Sequence, residues 1–161
     1  MTKKRILFII LSWLLVFATM LIIYNFSEQN ADKSAQTSGG VVKDVLDVVM
    51  PEEEITEEVI KKYQTPFRKL AHFGIFMLLG FSLANAYRFT INMKSMYVYL
   101  ISWGTTILYA IFDELHQGYI EGRGPQLKDV IIDSFGGLIG ICSFALMIYV
   151  FNKFYNKKIR H

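Results

Sequence analysis

Asp113-Glu114-Leu115-His116-Gln117 brings two acids, an imidazole and an amide to the end of a long apolar run. Gly122-Arg123-Gly124 follows as a glycine-flanked turn with one cation, and a second apolar run then begins with Asp129 and Asp133. Carboxylates at a helix C-terminus oppose the macrodipole, which favours cations there by about 0.3–1 kcal/mol each. Ionisable groups in or beside apolar spans are rare and mark functional sites by default. Such a set can move a proton between a carboxylate and a histidine, or capture a charged ligand. Histidine changes charge near neutral pH, and the planar fork of arginine binds phosphate or carboxylate bidentately.

Each candidate also has a plainer role to weigh. His72 is either a proton-transfer or ligand-contact residue or a histidine hydrogen-bonded inside a bundle. Asp113 and Glu114 are adjacent, point about 100° apart on a helix, and so have different partners. They are an acid/base pair, or one of them is a structural carboxylate paired with Arg123. Arg68 and Lys69 contact a ligand or snorkel to the interface as anchors. Asp129 belongs to the site or caps the last span, whereas Asp133 lies one turn inside and needs a partner or a proton. His72, His116, Glu114 and Asp113 could in principle ligate a metal. Their spacing matches no H-E-x-x-H pattern and there is no cysteine ligand pair, so neither a metal nor a cofactor is expected. The expected catalytic set is His72, Glu114 and Asp113, and the expected binding set is Arg68, Lys69, His116, Gln117, Arg123, Asp129 and Asp133.

The elements that must position these groups are apolar. The chain has 161 residues, enough for a single domain, and 53% of them are hydrophobic, more than a soluble domain of this size would bury. Lys3-Lys4-Arg5 precedes an uncharged run from Ile6 to Ile23. That run is longer than a signal-peptide core of about 7–15 residues and lacks a clean cleavage site after it, so it reads as an uncleaved first span. Further spans are expected at 68–89, 96–113 and 130–151. Asn25 to Gly40 is polar and reads as an irregular loop; Val41 to Met50 has helical apolar spacing, and Pro51 opens a second amphipathic helix that ends near Lys61-Lys62. This pair, about residues 38–64, lies on the membrane surface or over the bundle, unless it is a solvated acidic loop. The reading is an all-α integral membrane four-helix bundle. Ser102, Thr106, Tyr109, Asp113 and Gln117 recur every three or four residues, a polar stripe that must face the bundle interior or a water-filled crevice. Gly136 and Gly140 have the spacing that lets helices approach closely. Cys142 stands alone in an apolar run and reads as a small buried hydrophobe.

Net charge is only +3, but its distribution orients the spans. The N-terminus, the short loop with Arg88 and Lys94, and the tail with Lys153, Lys157, Lys158 and Arg160 are basic and fall on one side, expected to be the cytoplasm. Residues 25–66 and 114–128 then lie outside. His72 near the start of one span, Asp113 and Glu114 at the end of the next, and Asp129 and Asp133 at the start of the last meet at one depth. No basic stripe with interleaved aromatics is present, so nucleic acid is not an expected partner.

Arg68-Lys69-Leu70-Ala71-His72-Phe73 with Gly80, then Asp113-Glu114-Leu115-His116-Gln117, Gly122-Arg123 and Asp129-x-x-x-Asp133-x-x-Gly136 resemble the VanZ-like family. These are small bacterial membrane proteins named for a member linked to low-level teicoplanin resistance. Asn25-Phe26-Ser27-Glu28-Gln29 is similar to the family's Phe-Ser-x-Gln segment. Many members carry asparagine where this chain has Asp133. The resemblance implies action at the outer face of the cell membrane on an envelope component, with glycopeptide (teicoplanin-type) tolerance as its outcome. Expected partners are membrane lipids and a lipid-linked envelope precursor or the glycopeptide. The alternative is a non-catalytic lipid-binding or interaction protein whose polar cluster is structural, and a transporter is a distant third. The sequence sets neither the reaction, if there is one, nor an oligomeric state.

Overall fold

The computed structural model describes residues 2–28, 31–50, 56–120 and 124–159. Among them the chain is all-α, with helices α1 (Lys3–Ser27), α2 (Ala31–Val49), α3 (Glu57–Thr90), α4 (Ser95–Gln117) and α5 (Leu127–Ile159). Four of these, α1, α3, α4 and α5, are long and apolar enough to cross a membrane. At about 1.5 Å per residue, some 20 apolar residues span a ~30 Å hydrocarbon core. The bundle carries many exposed large hydrophobics, among them Leu14, Phe17 and Leu21 on α1, Leu108 and Phe112 on α4, and Leu146 and Phe151 on α5. Apolar side chains facing outward on every spanning helix are what a lipid solvent requires.

The bundle is built on α3, which packs most extensively on α5 and also against α1, α4 and α2. The closeness of α3 and α5 comes from glycine. A Cβ on Gly136 would stand 2.5 Å from the Phe73 carbonyl oxygen, and one on Gly140 would overlap the Met77 carbonyl oxygen. The Gly136/Gly140 spacing therefore faces α3 backbone. Val16, Ile23, Phe76, Leu79, Leu83 and Ala110 form the main buried core, and Ala84, Ile141 and Phe144 a second one. Polar side chains join the helices: Trp13 Nε1 donates to Thr90 Oγ1 at 3.0 Å, Asn85 Nδ2 to Ser12 Oγ at 2.9 Å, and Tyr109 Oη to the Met20 carbonyl at 2.7 Å.

Three expectations need correction. The stretch Asn25 to Gly40 is not an irregular loop: α1 runs to Ser27, and α2 begins at Ala31 and continues through Gly39-Gly40. Serine and glycine propensities are overridden by packing on α3, where a Cβ on Gly39 would touch Ile60 Cγ2 at 3.5 Å, and Val42 and Leu46 are buried. The second amphipathic helix is not separate from the second span. Thr56 caps α3, its Oγ1 accepting from the Val59 amide, and the helix runs on through Pro66 to Thr90. Pro51 to Glu54 lie outside the described residues. Cys142 is exposed rather than buried. A small apolar residue is equally at home against lipid.

Candidate functional site

α4 ends at Gln117, so the acidic group occupies its last turn, and α5 starts at Leu127 with Asp129 in its first turn, where the dipole favours an acid. The stripe along α4 turns inward. Ser102 and Thr106 are fully buried and satisfy their hydroxyls on the carbonyls of Val98 and Ser102 in the preceding turn. Lower down, the stripe reaches other helices. Ser27 Oγ of α1 donates to Asp113 Oδ2 at 2.9 Å, and Gln117 Nε2 donates to the same oxygen at 2.8 Å. Gln117 Nε2 also lies 3.2 Å from Ser27 Oγ, so α1 and α4 are tied together around one carboxylate.

Glu114 faces elsewhere, as adjacency on a helix demands. Its Oε2 accepts from the Gln126 amide at 2.7 Å, holding the entry to α5 against the end of α4. Lys69 of α3 pairs with Asp129 of α5. Asp129 therefore neutralises a cation on a neighbouring helix rather than serving only its own N-terminus. One turn along each helix, His72 Nδ1 stands 4.0 Å from Asp133 Oδ2, and Asp133 is only 2% exposed.

Arg68, Lys69, His72, Glu114, Gln117, Asp129, Ile132 and Asp133 line a cavity of about 20 Å³, room for one water-sized species. A second cavity, of about 190 Å³ and apolar, adjoins it. It is lined by Phe26, Thr37, Ser38, Val41, Phe67, Arg68, Ala71, His72 and Ile75. Arg68 and His72 belong to both walls. A third apolar cavity of about 220 Å³ continues between α2 and α3, along Val42, Val45, Leu46, Tyr63, Pro66, Phe67 and Leu70.

Of the residues expected from sequence, seven line the polar cavity: Arg68, Lys69, His72, Glu114, Gln117, Asp129 and Asp133. Asp113 sits beside it, its ligand atom within 4.8 Å of those of His72 and Asp133. Those three residues bring together a ligand set that sequence spacing gave no reason to expect. His116 does not line the cavity. It stacks on Tyr24 of α1, ring centroids 4.8 Å apart, because it lies a different way around α4 from Gln117. Arg123 lies outside the described residues. Ser27 and the Gln126 amide were not on the expected list. Ser27 was quoted in the Phe-Ser-x-Gln likeness, but reading its segment as a loop hid its contact with α4.

The protein-family description VanZ/LLP1 matches residues 9–150, which reach into all four spans and include every residue of this site. Comparison with curated proteins and with solved structures gave no match.

Proposed function

This chain belongs to the VanZ/LLP1 family, and from that premise we propose that it binds an anionic lipid of the cell envelope at the outer face of the cell membrane. The ligand's phosphate would pair with Arg68, on the wall that the two cavities share, with its hydrocarbon chain in the apolar cavity under α2. The observation that carries this reading is the shared wall: Arg68 and His72 border both a charged cavity and an apolar one. An amphiphile needs that juxtaposition, and a small polar metabolite does not. A lipid-linked pyrophosphate fits the chemistry. Arg123, between α4 and α5 in the chain, would add a bidentate donor for it.

The basic N-terminus, the Arg88–Lys94 connection and the basic tail support a topology with both termini cytoplasmic. That orientation turns the site and α2 outward, where a glycopeptide would meet its lipid-linked target, and glycopeptide tolerance follows as the expected phenotype. Within this reading, His72 and Glu114 are the residues suited to exchange a proton with a bound substrate. A non-catalytic reading draws on the Ser27–Asp113–Gln117 hydrogen bonds, which would lock the bundle whether or not a ligand binds.

The test is mass spectrometry of lipids that co-purify in mild detergent, wild type beside Arg68→Gln and Arg123→Ala. The expected result is a phospholipid or prenyl phosphate retained by the wild type and depleted in both variants. Identical lipid profiles in all three would overturn the proposal.

A further inference from the structure

We infer that His72, Asp113 and Asp133 form a binding site for a divalent cation. The three come from α3, α4 and α5, and one ligand atom from each lies within 4.8 Å of the other two. Ligands about 2.0–2.2 Å from a cation stand roughly 3–4 Å apart, so the set closes on an ion with movement of about an ångström or less. One imidazole and two carboxylates suit manganese or zinc better than calcium, which takes 6–8 oxygens, or copper(I), which selects sulfur.

The carboxylates around the cavity can be accounted for one by one. Asp129 has Lys69, Glu114 has the Gln126 amide, and Asp113 has Ser27 and Gln117. Asp133 is 2% exposed and lines the cavity, and the ion-pair partner it has among the described residues is His72. Its ion-pair contact with His72 is 4.0 Å long, beyond hydrogen-bond reach. A buried carboxylate lining a space of about 20 Å³ takes up a proton or a cation, and the His72 and Asp113 ligand atoms beside Asp133 complete a set for a cation. Both donors to Asp113 converge on Oδ2, an outer-shell arrangement of the kind that fixes a metal-binding carboxylate. A cation held by three protein atoms keeps positions open for another ligand. The inference does not depend on the lipid reading, because its test uses no lipid.

The experiment is calorimetric titration of the purified, chelator-stripped full chain with Mn²⁺ and with Zn²⁺, wild type beside Asp133→Asn and His72→Gln. The expected result is one cation bound per chain and at least tenfold weaker binding in each variant. A wild type that binds neither cation, or variants that bind as the wild type does, would overturn it. If a variant fails to fold, the wild type alone decides through diethylpyrocarbonate labelling of histidine read by mass spectrometry. Saturating cation should protect His72 and leave His116 unchanged; equal labelling of His72 with and without cation would overturn the inference.

Discussion

Replacing Gly136 with alanine tests whether the α3–α5 contact sets the site. The new Cβ would lie 2.5 Å from the Phe73 carbonyl oxygen, 3.2 Å from its carbon and 3.3 Å from its Cα, all backbone atoms that no rotamer change can move. Restoring a tolerable 3.0–3.4 Å requires the helices to part by about 0.5–0.9 Å. Overpacking of this kind costs about 1–3 kcal/mol, and the gain in helix propensity on leaving glycine offsets up to about 1 kcal/mol. The expected net loss is about 1–2 kcal/mol, a factor of roughly 5–30 in the folding equilibrium. Gly74→Ala is the matched control: it lies on α3 near the same level, and a Cβ there meets nothing within 4 Å. It should instead stabilise by about 0.4–1 kcal/mol. Reversible unfolding in mixed detergent micelles, followed by tryptophan fluorescence, measures both. Opposite signs are expected. Equal stabilities would refute the close approach and, with it, the geometry that brings His72 to Asp133.

Three more substitutions probe the site. Ser27→Ala removes one of two donors to the buried Asp113 and should lower stability in the same unfolding assay by about 1–3 kcal/mol. Tyr109→Phe deletes the hydrogen bond to the Met20 carbonyl and should cost about 0.5–1.5 kcal/mol there. Glu114→Gln keeps an acceptor for the Gln126 amide, so stability should change by less than about 1 kcal/mol while lipid retention and glycopeptide tolerance fall. A loss of about 3–5 kcal/mol would instead mark Glu114 as part of a structural lock.

The spans could be read from the sequence because lipid imposes a single rule, long uncharged runs with internally satisfied backbones. The stripe from Ser102 to Gln117 could be read for the same reason: lipid cannot satisfy it, so it had to turn inward. Gly136 and Gly140 have a spacing that permits a close approach, but the approach itself and α3 as the partner are visible only in the fold. What stayed hidden depended on tertiary contact. Asn25 to Gly40 reads as loop by propensity, yet from Ala31 on it belongs to α2, which packs on α3. The amphipathic helix expected to end near Lys61-Lys62 and the span expected at 68–89 are one helix, α3, which passes through Pro66. Asp129 looks like a cap until Lys69 is seen beside it. His116 shares a pentapeptide with Glu114 and Gln117 but reaches Tyr24 instead of the cavity. The juxtaposition of His72, Asp113 and Asp133 spans three helices, and motif spacing within one helix cannot show it.

The central claim is that a charged cavity and an apolar one act together on an anionic lipid. Its most direct test is calorimetric titration of the purified protein with farnesyl phosphate and, separately, with farnesol. The account predicts saturable one-to-one binding of the phosphate that weakens with added salt and in Arg68→Gln, with farnesol binding at least tenfold more weakly. Equal affinity for the two, or no saturable binding of either, would contradict it.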